Sequence, residues 1–199
     1  MRQAEVFVNL SLKMNDNQLR KVIIDYVRWA SEKTSNDSIA RLAFNSRKNL
    51  LINIFERLSL KLGDLFTHFY GYIFEILTKD LEDMQVHKEA QSSKLVGKKD
   101  RNVSEYSLHC SIVYAKSLMK TLMSLFSNDP ANEFMDSVKF DLIGPKIGNL
   151  FNVTGFGGEY SNFITEYLRP CLICLYTNTK DDYKLKSLNT EVYFYSFRF

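Results

Sequence analysis

Apolar residues recur along this chain in steps of three and four, the spacing that places side chains on one face of a helix. Val6, Phe7, Leu10 and Met14 open the pattern. Asn15 or Asp16 then suits the cap of a second helix, whose stripe is Leu19, Val22, Ile23, Tyr26, Val27 and Ala30. The polar run from Ser31 to Ser38 reads as a loop. The strongest stripe follows over residues 50–81: Leu51, Ile54, Phe55, Leu58, Leu62, Leu65, Phe69, Ile73, Ile76 or Leu77, and Leu81. Gly63 interrupts it at a cost of about 1 kcal/mol against Ala in a helix. Thr67 is placed to cap a restart. The reading is two helices folded as a hairpin with a break between Gly63 and Thr67.

Periodicity fails over residues 85–103, where Ser92, Ser93 and Gly97 surround one isolated apolar pair, Leu95 and Val96. A gap of that length is expected to be a flexible loop. It resumes at Ser104 with Leu108, Ile112, Ala115, Leu118 or Met119, Leu122 and Leu125 on one face. Ser127-Asn-Asp-Pro130 predicts a stop, because the residue before a proline avoids helical backbone. Phe134, Val138 and Leu142 predict the next face, and Gly144-Pro145 predicts a further break before Ile147, Leu150 and Phe151. A loop is expected at Gly155-Phe-Gly-Gly158. Tyr160, Phe163, Tyr167, Cys171 and Leu175 then form a helix that Pro170 should kink. Leu185, Leu188 and Val192 begin a last helix, which gives way to an aromatic tail over residues 191–199.

These elements specify an all-α fold: antiparallel helix pairs, each unable to bury its apolar face alone, stacked as an α-solenoid or an irregular bundle. The scarcity of breakers, 8 Gly and 3 Pro in 199 residues, favours long helices. With 45% hydrophobic residues, the chain can form a single helical domain over 1–199 with one sizeable core. No apolar run approaches the length of a membrane span, and the charged start of the chain does not read as a signal peptide. The odd cysteine count suits a reducing compartment.

Charge narrows the functional classes. Lys and Arg number 26 against 23 Asp and Glu, a net charge of +3 that excludes a bulk polycation. Contact with nucleic acid must come from a local patch. Lys94, Lys98, Lys99 and Arg101 supply the one cluster, opposed only by Asp100, in the aperiodic segment. They are the RNA-contact candidates, weighed against a plain solvated linker.

Enzyme chemistry finds little support. Cys171-Leu-Ile-Cys174 has the spacing of redox and metal motifs, yet it sits among Leu168, Leu172, Ile173 and Leu175, and His109-Cys110 point to different helix faces. The pair reads as core cysteines. His68, His87 and His109 share no ligand spacing, and the Gly155 loop lacks the Lys-Ser/Thr of a phosphate loop. No catalytic residue, cofactor, metal or small-molecule substrate is expected.

Three stretches resemble a known family. Val6-Phe-Val-Asn-Leu-Ser-Leu-Lys-Met14 with Asp25-Tyr-Val-Arg-Trp-Ala30 is similar to its opening helix pair. Ile54-Phe-Glu-Arg-Leu-Ser-Leu-Lys-Leu-Gly-Asp-Leu-Phe-Thr67 and Phe69-Tyr-Gly-Tyr72 resemble its next helix and the aromatic-glycine step after it. Leu118 to Phe126, Ile143-Gly-Pro-Lys-Ile-Gly-Asn-Leu150 and Leu168-Arg-Pro-Cys171 resemble its later helices. The family is that of the C-terminal domain of U-three small nucleolar RNA-associated protein ten, or HEAT repeat-containing protein one. The likeness runs over about residues 3–190. Gly63 departs from it, standing where the family has a lysine. The chain also stops near Phe199, where the family continues with further HEAT repeats, so it reads as a fragment of a longer HEAT-like array. The resemblance implies a non-enzymatic scaffold of the nucleolar small-subunit processome, in ribosome biogenesis and pre-rRNA processing, with links to rDNA transcription. It implies processome proteins, the U-three snoRNP and pre-rRNA as partners, snoRNA binding among its roles, and a nucleolar location. The competing reading is a generic helical adaptor or transport-type solenoid outside the nucleolus.

Overall fold

The computed structural model describes residues 2–32, 38–91, 98–129, 132–152 and 159–179, and every regular element among them is helical. The elements are α1 (Arg2–Ser11), α2 (Asp16–Ser31), α3 (Ser38–Leu62), a 3-10 segment (Gly63–Tyr72), α4 (Phe74–Gln91), α5 (Lys98–Ser127) and α6 (Ser137–Asn149). A short 3-10 turn, Leu150–Asn152, closes α6. The last of the described helices comprises α7 (Tyr160–Phe163), a π-turn (Ile164–Leu168) and α8 (Arg169–Asn178).

Local chemistry fixes the boundaries. Asn15 caps α2: its Oδ1 accepts from the Gln18 N–H at 3.0 Å while the Gln18 side chain accepts from the Asn15 N–H at 3.1 Å. Two otherwise unpaired backbone donors are thus satisfied reciprocally. The far end of α2 is closed from α3, where the Arg47 guanidinium donates to Trp29 O at 2.8 Å and Glu32 O at 2.7 Å. Gly63 ends α3 with φ +58, the left-handed conformation glycine adopts without steric cost. A Cβ there would meet nothing within 4 Å, so backbone conformation and not space accounts for the glycine.

Pairings between helices give the architecture. Ile52 and Ser59 of α3 face Thr121 and Asn128 of α5, so these two helices run parallel. Lys116 lies against Glu159 and Ser127 against Cys174, which sets the α7–α8 helix parallel to α5. Tyr70, just before α4, lies against Thr121 of α5 and Asp80 of α4 against Tyr114, so α4 runs the other way. Phe134, just before α6, packs on Phe74, and Lys146 pairs with Glu82, so α6 follows α4. Asp16 near His68 and Trp29 near Arg47 make α2 antiparallel to α3. The result is two layers: α1, α3, α5 and α7–α8 in one direction, α2, α4 and α6 in the other. This is the stacked-pair, solenoid-like arrangement, one of the two that the periodicity leaves open.

The core lies between the layers. Leu51, Phe55, Leu58, Phe66, Tyr70, Leu77, Leu118, Leu122, Phe140, Ile147 and Leu172 are buried. Each such side chain contributes about 1.5–3 kcal/mol, against about 0–1 kcal/mol for an exposed ion pair. Apolar packing therefore decides the arrangement.

Several expectations are corrected. Val6 and Leu10 are 60% and 55% exposed; α1 buries Ala4, Val8 and Ser11 instead. Ser11 is tolerated inside because its hydroxyl donates to Phe7 O at 2.9 Å. Thr67 caps no helix: it lies inside the 3-10 segment and donates to Asn128 O at 2.8 Å. Leu65 is exposed because the helix period has already changed at Gly63. Val138 and Leu142 lie on the solvent side of α6, opposite Phe140, Ile143 and Ile147. Gly144-Pro145 does not break α6. The residue before this proline has no Cβ to clash, and Pro145 is exposed, where water can satisfy the carbonyl it leaves unbonded. Pro170 does disturb its helix, as the π-turn immediately before it.

The aperiodic segment is also more helical than its pattern implies. α4 continues to Gln91 and α5 begins at Lys98. Gln85 to Gln91 are mostly good helix formers without an apolar stripe, so propensity supports helix where periodicity is silent. Residues 92–97, the Gly155–Gly158 loop and the 191–199 tail lie outside the described residues.

Candidate functional site

The four RNA-contact candidates divide between two settings. Lys98, Lys99 and Arg101 stand in the first turns of α5, and Lys94 lies outside the described residues. Three of the four thus belong to the backbone of one helix, and their side chains lie outside those described.

A second surface forms where α3, α5 and α7–α8 lie side by side. Between α3 and α5 runs an open groove of about 420 Å³ lined by Glu56, Leu60, Lys120, Met123, Ser127 and Asn128. Its base is a seam of small polar side chains. The Asn128 amide donates to Ser59 O at 3.3 Å and Ser124 Oγ at 3.2 Å, and Thr121 Oγ1 donates to Ser117 O at 2.9 Å. Beneath it, Tyr70 is fully buried, donates to Thr121 O at 3.5 Å, and has its phenol pushed up to about 12 by burial. Small residues along α5 let α3 approach closely, and their hydrogen bonds remove the penalty of burying them.

Beside the groove, Lys116 pairs with Glu159 at 2.9 Å and Lys120 with Glu56 at 3.5 Å. Both ammonium groups lie 5.7 Å from the centre of the Tyr167 ring. The hydrogen bond to Glu159, foremost, holds Lys116 above the ordinary lysine range. An incoming phosphate would have to compete with carboxylates already in place, so this cluster is a weaker anion site than its two lysines suggest. The i, i+4 spacing of Lys116 and Lys120 was visible in the sequence. Tyr167, about fifty residues away, was not.

Asp80 anchors an interior polar junction that the sequence did not reveal. It is 3% exposed, and its carboxylate accepts from the Lys48 ammonium and the Tyr114 hydroxyl, tying α3, α4 and α5 together.

The cysteines occupy different settings. Cys171 is fully buried, and burial, with nearby Cys174, pushes its thiol well above the usual range. Cys174 is half-buried: its sulfur is 3.0 Å from Ser127 Oγ and donates to Met123 O at 3.4 Å. Both join α8 to the rest of the fold, Cys174 through α5. Among the described residues no three or more His, Cys, Asp or Glu side chains gather to hold a metal. His68 is an exposed residue 3.2 Å from Asp16. The side chains of His87, His109 and Cys110 lie outside those described. Among the described residues no helix is long and apolar enough to cross a membrane.

The fold and its surfaces define a stacked-helix domain of the solenoid-like class, offering faces between helices for binding. The chain belongs to the family of the BP28CT (NUC211) domain, which matches residues 2–134. This domain is found in nucleolar proteins of ribosome biogenesis. The matched region spans α1 to α5, including the Asp25–Ala30 and Ile54–Tyr72 stretches, and ends before Ile143 and the later motifs. No curated protein and no solved structure matches the chain.

Proposed function

We propose that this chain is a scaffold component of the nucleolar small-subunit processome, supporting pre-rRNA processing and small-subunit rRNA maturation without catalysing a reaction itself. The observation that carries the proposal is the family match over residues 2–134. The stacked pairs support it, since such arrays expose long faces able to hold several partners at once. Its partners on this reading are other processome proteins, with the U-three snoRNP and pre-rRNA. A tagged chain imaged in cells should concentrate in nucleoli; a diffuse or purely cytoplasmic signal would overturn the reading.

Within that role, Lys94, Lys98, Lys99 and Arg101 are the proposed RNA contacts. The clustered charge supports them, and the carboxylate-paired lysines at the α3–α5 groove are poorer competitors. The test is RNA affinity across a salt series for the wild type and a variant with all four changed to Ala. Removing one lysine or arginine from a phosphate reduces the slope of log affinity against log salt by about 0.7–0.9. Sequence preference should change little, because phosphate contacts position and base contacts specify. Superimposable curves would remove direct RNA contact through these residues and leave the scaffold resting on protein partners.

A further inference from the structure

We draw no further inference here: the strongest candidate, the exposed apolar face of the first helix formed by Val6 and Leu10, carries nothing because nothing in the structure shows what covers it.

Discussion

Replacing Asp80 with alanine should be among the most damaging single changes outside the apolar core. The carboxylate is 3% exposed, its Lys48 partner has a side chain 16% exposed, and the Tyr114 hydroxyl shares it. The change takes away the carboxylate that the Lys48 ammonium faces and leaves that ammonium held between α3 and α4. Breaking a buried pair from one side costs about 3–5 kcal/mol, because the carboxylate no longer offsets the cost of holding the ammonium away from water. That is a large share of the roughly 5–15 kcal/mol that holds a domain folded. For a chain of this length it corresponds to a fall in Tm of about 6–20 °C, at about 2–4 °C per kcal/mol. Thermal and urea denaturation should agree on the size of the effect. Changing the whole junction to apolar residues, Asp80→Leu with Lys48→Met and Tyr114→Phe, should recover most of it, since well-packed apolar replacements of buried pairs are often neutral. A destabilisation below about 1 kcal/mol for Asp80→Ala would place the junction with ordinary surface ion pairs and refute the reasoning.

Gly63→Ala should cost about 1–2 kcal/mol in urea denaturation, through the left-handed backbone alone, as no neighbour lies within 4 Å of the new Cβ; an unchanged midpoint would contradict it. Asp136 caps α6 through the Lys139 N–H at 2.8 Å, and the hydrogen bond from the Lys139 side chain, with that N–H, holds its carboxyl below the ordinary range. Its contribution is therefore fully present above the unfolded value near ~3.9 and is lost as pH falls through the lowered native value. Asp136→Ala should cost about 0.5–2 kcal/mol at pH 7, and denaturation curves should show the difference from wild type shrinking in acid. Site-resolved thiol labelling of the folded chain should modify Cys174 faster than Cys171, while Cys171→Ser should destabilise by about 1–3 kcal/mol; rapid labelling of Cys171 would contradict its burial.

What the sequence made legible follows from how each feature is encoded. The stripes of α2, α3 and α5 were readable because those helices bury a face against neighbours, and burial selects apolar residues at helical spacing. In α1 and α6 the same inference chose the wrong face. Val6, Leu10, Val138 and Leu142 are apolar but exposed, while the buried faces mix Val8, Phe140, Ile143 and Ile147 with Ala4, Ser11, Gly144 and Gly148, small or polar residues that hydrophobicity alone does not mark. The interruption at Gly63 was legible from one residue's backbone freedom. The 3-10 path to Tyr72 was not, because it is held partly by a distant hydrogen bond, Thr67 to Asn128. The Asp80 junction was hidden for a similar reason: Lys48, Asp80 and Tyr114 come from three helices and meet only on folding. The basic cluster was visible as composition, but the extension of α5 back to Lys98 carries no periodic signal.

The most direct test of the central reading is the protein content of purified small-subunit precursor particles. Cells expressing the tagged chain from its own promoter would be fractionated on gradients, and particles captured through an independent processome component would be analysed by quantitative mass spectrometry. The account predicts peptides of this chain in those particles, enriched with the early pre-rRNA intermediates. Good expression of the chain, together with its absence from every precursor fraction, would contradict the account.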